Sequence, residues 1–190
     1  CGAGFLHGVL ESELGSFTNS SDLVQIGNLC KETDEKCNHG LGHGLMVLTN
    51  NRFKEALSYC GRLGDLARSD CYDGVFMHIF DNEETGVSKK IPERAEEELL
   101  CAGLEDQYKK SCYFFLPRVF AHEESMDVKA WSICGRTFGV DHVLCVVGSG
   151  SMFAKYEYSN PQKVEKMCSI FLEYTPLCNE GASLYREKPF

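Results

Sequence analysis

The sequence predicts an all-α protein, a right-handed α/α solenoid of two-helix repeats stapled by local disulfides. Three observations predict it. Eleven cysteines fall into two regularly spaced columns, a glycine follows nearly every cysteine of one column at a fixed distance, and apolar residues recur at helical intervals between them. Alternation of the β type is scarce.

The first column is Cys1, Cys37, Cys71, Cys112, Cys145 and Cys178; the third residue after each is Gly4, Gly40, Gly74, Phe115, Gly148 and Gly181. Five glycines in six positions mark a repeat. The second column is Cys30, Cys60, Cys101, Cys134 and Cys168, each of which precedes the next first-column cysteine by a short and nearly constant interval. The frame therefore pairs Cys30 with Cys37, Cys60 with Cys71, Cys101 with Cys112, Cys134 with Cys145, and Cys168 with Cys178. Cys1 is left unpaired in this frame, its expected partner lying upstream. Successive first-column cysteines recur at intervals within the roughly 20–45 residues of a stacked repeat unit, which suits a pair of helices. The reading is one helical-repeat domain over 1–190, with units 1–36, 37–70, 71–111, 112–144 and 145–177 and a C-terminal half unit 178–190.

Each unit is expected to hold a glycine-containing helix A, a polar turn, and an amphipathic helix B that ends near its cysteine. Helices A are placed at about 2–14, 38–49, 72–83, 111–122, 143–155 and 177–187, with Pro117 kinking the fourth. Start signals for helices B are Ser20-Ser21-Asp22 before Leu23, Pro92-Glu93 before Arg94, Asp127 before Val128, and Asn160-Pro161 before Gln162. Leu23, Ile26 and Leu29, and Phe53, Ala56 and Leu57, supply the apolar spacing. A disulfide closing each B-to-A turn stabilises its unit by about 3 kcal/mol through loop entropy. The charged stretch from Asp81 to Lys90 lengthens the third unit and reads as a solvated loop.

Composition narrows the function. Lys+Arg 19 against Asp+Glu 28 gives a net charge of −9, with no basic run beside aromatics, so a nucleic-acid partner is not expected. The most apolar stretch, around Val143–Phe153, is too short for the roughly 20 residues of a membrane span. So many cysteines without C-x-x-C point to an oxidising compartment, secreted, extracellular or periplasmic, and away from zinc ribbons and thiol redox sites. Asn19-Ser20-Ser21 is a glycosylation sequon at Asn19.

Cysteine spacing and repeat length together resemble those of the cysteine-rich Sel1-like repeat proteins, over nearly the whole chain. The stretch Cys37-Asn38-His39-Gly40-Leu41-Gly42-His43-Gly44 differs from the Sel1 consensus. The resemblance implies a secreted α/α solenoid acting as an interaction module. The β-lactam binding linked to certain members finds no support in these residues.

The same stretch is the main chemical candidate. Glycines cost about 0.8–1 kcal/mol each inside a helix relative to alanine, so something close by must need the space. Gly40 and Gly44, like Gly4 and Gly8, form a stripe that suits helix packing. His39 and His43 are four apart and leave one helical face. In the repeat frame His7 and Met77 share the column of His43, Asp73 that of His39, and His78 adjoins Met77. The strip His7, His39, His43, Asp73, Met77 and His78 is thus a candidate ligand set for copper, through imidazole and thioether, or for zinc, through imidazole and carboxylate. Hydrogen bonding of these histidines to neighbouring backbone is the structural alternative.

His122 and His142 stand alone in the frame and read as structural. Gly148-Ser149-Gly150-Ser151, with Asp141 and His142 nearby, fails the G-x-S-x-G pattern of a nucleophile elbow. Glu96-Glu97-Glu98 reads as a solvated helix face, and Tyr113-Phe114-Phe115 with Phe120 as core. The expectation is a non-catalytic module for protein binding or self-assembly through its concave A-helix face, with metal binding or a metal-dependent enzyme as the alternative.

Overall fold

The computed structural model describes residues 30–31, 34–81 and 97–187, the side chains of 97–99 excepted. Among the described residues all regular structure is helical. The chain divides into two compact units, Cys1–Ile79 and Phe80–Phe190. The first A helix, the first B helix, and the residues around Cys1, His7 and Asn19 lie outside the described residues.

In the first unit, α1 spans Glu35–Leu48, α2 Phe53–Cys60 and α3 Asp65–Phe80. Asp34 starts α1 by accepting a hydrogen bond from the Cys37 amide at 3.0 Å. Every residue from Cys37 to Met46 is buried, as expected of a helix with no polar face. Asn50 and Asn51, with φ of 52° and 62°, then turn the chain into α2, in a conformation asparagine tolerates better than most residues.

Two glycines bring α1 and α3 together. A Cβ on Gly42 would stand 2.2 Å from the Cys71 carbonyl oxygen, and one on Gly74 would stand 2.0 Å from the His39 carbonyl oxygen. No other residue fits there. This contact is made at Gly42, which lies between the Gly40 and Gly44 of the expected stripe.

In the second unit, α4 spans Glu97–Ala102, α5 Asp106–Phe115, α6 Met126–Cys134, α7 Gly139–Tyr156, α8 Pro161–Cys168 and α9 Thr175–Glu187. Short 3-10 segments follow α5 (Leu116–Phe120) and α8 (Ser169–Tyr174). Helix α7 lies between α5 and α9, and the glycine contacts recur at equivalent positions. A Cβ on Gly148 would meet the Phe114 oxygen at 1.8 Å, on Gly181 the Val147 oxygen at 1.9 Å, and on Gly150 the Cys178 oxygen at 1.8 Å. The glycine three residues after a column cysteine thus meets the carbonyl two residues after the preceding one. This holds for Gly74, Gly148 and Gly181 alike.

Five disulfides join Cys30–Cys37, Cys60–Cys71, Cys101–Cys112, Cys134–Cys145 and Cys168–Cys178, with Cα atoms 5.5–5.6 Å apart. In the last four, the first cysteine lies at or near the end of a B helix and the second lies inside the next A helix. The described A helices accordingly begin at 35, 65, 106, 139 and 175, before the expected start in every case. Acidic residues supply the missed signals. Glu35, Asp65, Asp106 and Asp141 each stand in a first turn, where the helix dipole favours negative charge. The fourth A helix passes into 3-10 geometry at Leu116–Phe120, where Pro117 removes a backbone donor. Asn160 caps α8 through the Lys163 amide at 3.1 Å, with Pro161 in the first turn. Helix α6 begins at Met126, just ahead of the expected Asp127 signal.

Removing the Cys134–Cys145 bridge by replacing both cysteines with alanine should lower unfolding free energy by about 3 kcal/mol for this loop length. Chemical denaturation followed by circular dichroism measures it. A loss under about 1 kcal/mol would show that the staple does not limit the unfolded chain.

Candidate functional site

Helix α1 places His39 and His43 one turn apart, and the approach at Gly42 and Gly74 brings Met77 of α3 against His39. The His39 Nε2 lies 3.2 Å from the His43 Nε2 and 3.3 Å from the Met77 Sδ. All three residues are buried, Met77 at 1% exposure. The link to the glycine contact is direct. The His39 carbonyl rests on Gly74, and Met77, three residues further along α3, rests on the His39 ring.

His78 adjoins this group without entering it. Its ring stands edge-on to that of His43 at 5.5 Å between centroids, and its Nε2 is 3.1 Å from the Asn51 Oδ1. Among the described residues no three His, Cys, Asp or Glu side chains stand close enough together to hold a metal ion. Asp73 and His78 therefore do not complete a zinc-type set with His39 and His43, and the group that meets His39 from α3 is the Met77 thioether. His7 lies outside the described residues.

A second polar group stands in the other unit, and sequence reasoning missed it. Asp81, expected in a solvated loop, is 1% exposed. Its carboxylate accepts from Lys155 Nζ at 2.6 Å and from the Tyr156 hydroxyl at 3.0 and 3.1 Å, and lies 3.5 Å from Arg118 Nη1. Arg118, also buried, stacks over the Phe115 ring at 4.9 Å. Residues 82–96 lie outside the described residues. Asp81 and Lys155 stand too far apart along the chain for any local pattern to reveal the pairing. A usable signal is Arg118 itself, a cation in the apolar run Phe114–Phe120, costly there without a buried partner.

Burial pushes the Asp81 carboxyl up, but the hydrogen bond and charge of Lys155, the charge of Arg118 and the Tyr156 hydrogen bond outweigh it and hold it below its ordinary value. The group is thus an ion pair of low proton affinity, suited to holding structure.

The remaining candidates are structural. His142 Nδ1 lies 2.8 Å from the Cys134 carbonyl oxygen, which accepts its hydrogen bond, and its ring meets Tyr174 edge-on at 4.5 Å. His122 lies edge-on to Tyr156 at 4.3 Å. Ser149 and Ser151 are buried within α7, and the Ser149 hydroxyl donates to the Cys145 carbonyl at 2.9 Å, so the Gly-Ser stretch is core helix. Tyr113 and Phe115 are buried. The side chains of Glu96-Glu97-Glu98 lie outside the described residues.

Large apolar side chains are exposed in the second unit at Val128, Trp131, Phe138, Val140 and Leu172, with Phe138 at 82% and Leu172 at 70%. Leu172 also holds φ at +53°, a conformation leucine rarely adopts. Among the described residues no helix is long and apolar enough to cross a membrane.

No protein-family model matches the chain, and no curated protein or solved structure shows significant similarity to it.

The Asp81 group carries a pH dependence of known sign. Because its folded affinity for protons is depressed, its stabilisation is fully present above the ordinary value of 3.8 and is lost as the pH falls from there through the folded value. Asp81→Asn, which takes the carboxylate away from the buried Arg118 and from Lys155, should cost about 3–5 kcal/mol at neutral pH. The variant should also flatten the acid limb of a stability-versus-pH curve. An acid limb as steep as the parent's would place the titrating carboxylate elsewhere.

Proposed function

We propose that the chain is a secreted, non-catalytic helical-repeat module, a right-handed solenoid that binds a protein partner. The observation carrying this reading is the set of exposed apolar side chains in the second unit. Val128 and Trp131 are three apart on α6, Phe138 and Val140 flank the start of α7, and Leu172 follows α8. The His142 contacts to Cys134 and Tyr174 hold these three stretches beside one another. Aromatic side chains presented in this way, here Trp131 and Phe138, are the usual anchors of protein interfaces. Holding Leu172 at positive φ costs about 1–3 kcal/mol, which fits a side chain kept outward for use.

The surface differs from the expected A-helix groove. Residues 37–46 of α1 and most of 145–154 of α7 are buried, so little of those helices faces a partner. The B-to-A turn is the better platform. The five disulfides support an oxidising, extracellular or periplasmic setting. The Sel1-like resemblance implies the same type of role.

Site-specific photo-crosslinking tests the reading. A photoreactive phenylalanine analogue at position 138 and, as control, at exposed Glu165 would be irradiated in the medium of the producing cells. The expected result is a discrete protein adduct from position 138, a second copy of the chain included, and none from 165. No adduct, or the same products from both positions, would contradict the proposed surface.

A further inference from the structure

We propose that His39, His43 and Met77 form a three-donor site for cuprous copper. The site stands on the first unit alone and is independent of partner binding by the second.

The geometry of the three atoms is the first argument. An imidazole nitrogen has one in-plane position, filled by either a proton or a lone pair, and a thioether sulfur only accepts. The His39 Nε2 faces both the His43 Nε2 and the Met77 Sδ, at 3.2 and 3.3 Å. A proton on that nitrogen serves one neighbour well and the other poorly; without one, its lone pair confronts the sulfur. A cation between the three atoms accepts every lone pair at once. First-row metal bonds of about 2.0 Å to nitrogen and about 2.3 Å to sulfur, spread at tetrahedral or trigonal angles, place donor atoms roughly 3.3–3.7 Å apart. The two separations measured from the His39 Nε2 need only a few tenths of an ångström of expansion, and the cation would draw the His43 Nε2 and the Met77 Sδ, which make no direct contact of their own, into one shell.

Donor chemistry then selects the ion. Two neutral imidazoles and a thioether make a soft set without charge, which suits monovalent copper. Among the described residues, the carboxylate that zinc would favour is not in the group. Neither is a thiolate, since the nearby Cys37 and Cys71 are committed to disulfides with Cys30 and Cys60. A thioether keeps its lone pairs in the same oxidising conditions that consume thiols, so this donor set is compatible with its surroundings. His78, held to Asn51 and edge-on to His43, is a positioning residue outside the ligand set.

Construction of the site depends on the glycine contact. With the His39 carbonyl against Gly74, Met77 lies one turn further along α3, and the separation of the helices fixes how close the sulfur comes to the His39 ring. Side chains at 39 and 43 also share one face of α1 by their spacing alone.

The test is an anaerobic titration of the whole, disulfide-intact protein with Cu(I) against a chromophoric chelator. Ag(I) serves as a redox-inert counterpart, with Zn(II) in parallel. The expected result is uptake of a single equivalent of Cu(I) or Ag(I), with perturbation of the Met77 methyl and of both imidazole Nε2 signals by NMR. Met77→Leu conserves volume and should fold, so it isolates the sulfur even if histidine variants do not fold. Since loss of an outer-shell contact alone weakens metal binding about 10–100-fold, loss of this direct donor should weaken Cu(I) binding at least tenfold. No stoichiometric Cu(I) or Ag(I) uptake by the folded parent would overturn the proposal. So would Cu(I) binding undiminished in Met77→Leu, or Zn(II) competing on equal terms.

Discussion

The direct contact of helix backbones at glycine is the constraint on which the rest of this structure depends. At Gly74, Gly148 and Gly181 the carbonyl of a neighbouring A helix occupies the space that a side chain would fill. Such contacts replace interdigitated side chains with main chain, gaining close van der Waals contact and weak Cα–H···O interactions. They also fix relative translation. A glycine meets one particular carbonyl, so the helices cannot slide by a turn without driving a Cβ into the backbone. The cost in helix propensity is offset only while the neighbour is present, which makes these helices cooperative by construction.

Disulfides act on a different part of the same problem. Each closes a short loop and so restricts the unfolded chain, and the last four also pin the end of one helix to the body of the next. Within each unit, glycines then set how near α1 lies to α3, and α7 to α5 and α9, and the bridges tie each of these helices to the chain before it. The polar side chains follow from this framework. His43, Met77 and Arg118 share one column of the repeat, six residues after a cysteine, and all are buried. Two of them meet as soft neutral donors with His39, whereas Arg118 meets a carboxylate. One position in the repeat thus carries two chemistries, decided by what the neighbouring elements supply.

Much of the fold is legible in the sequence because its signals are local. Cysteines that alternate between two columns at close spacing leave few ways to pair, and apolar spacing separates helix from strand over each short segment. Helix starts are harder to place, because the cysteines look like boundaries whereas Glu35, Asp65 and Asp106 open their helices before the cysteine is reached. The meeting of His39 with His43 follows from four-residue spacing; the repeat frame brings Met77 to the same strip, where its sulfur meets His39. Asp73 does not join them because sharing a column places a Cα and does not aim a side chain. Asp81 escapes the sequence reading for a related reason. A charge beside a long polar stretch looks solvated, and its partners Lys155 and Tyr156 belong to a helix far along the chain.

Alanine replacement at Gly74, Gly148 and Gly181, with Gly61 as the reference, measures the central contact most directly. At Gly61 the nearest atom to an added Cβ is 3.4 Å away, whereas at the other three it is a backbone oxygen within 2.0 Å. Helix propensity alone favours alanine by about 1 kcal/mol, so the sign of the change is diagnostic. The account predicts little change at Gly61 and a loss of about 3 kcal/mol or more at each of the others, as the helices are forced apart. Parental or higher stability in all three column variants would contradict it, because the helices would then not be held backbone to backbone.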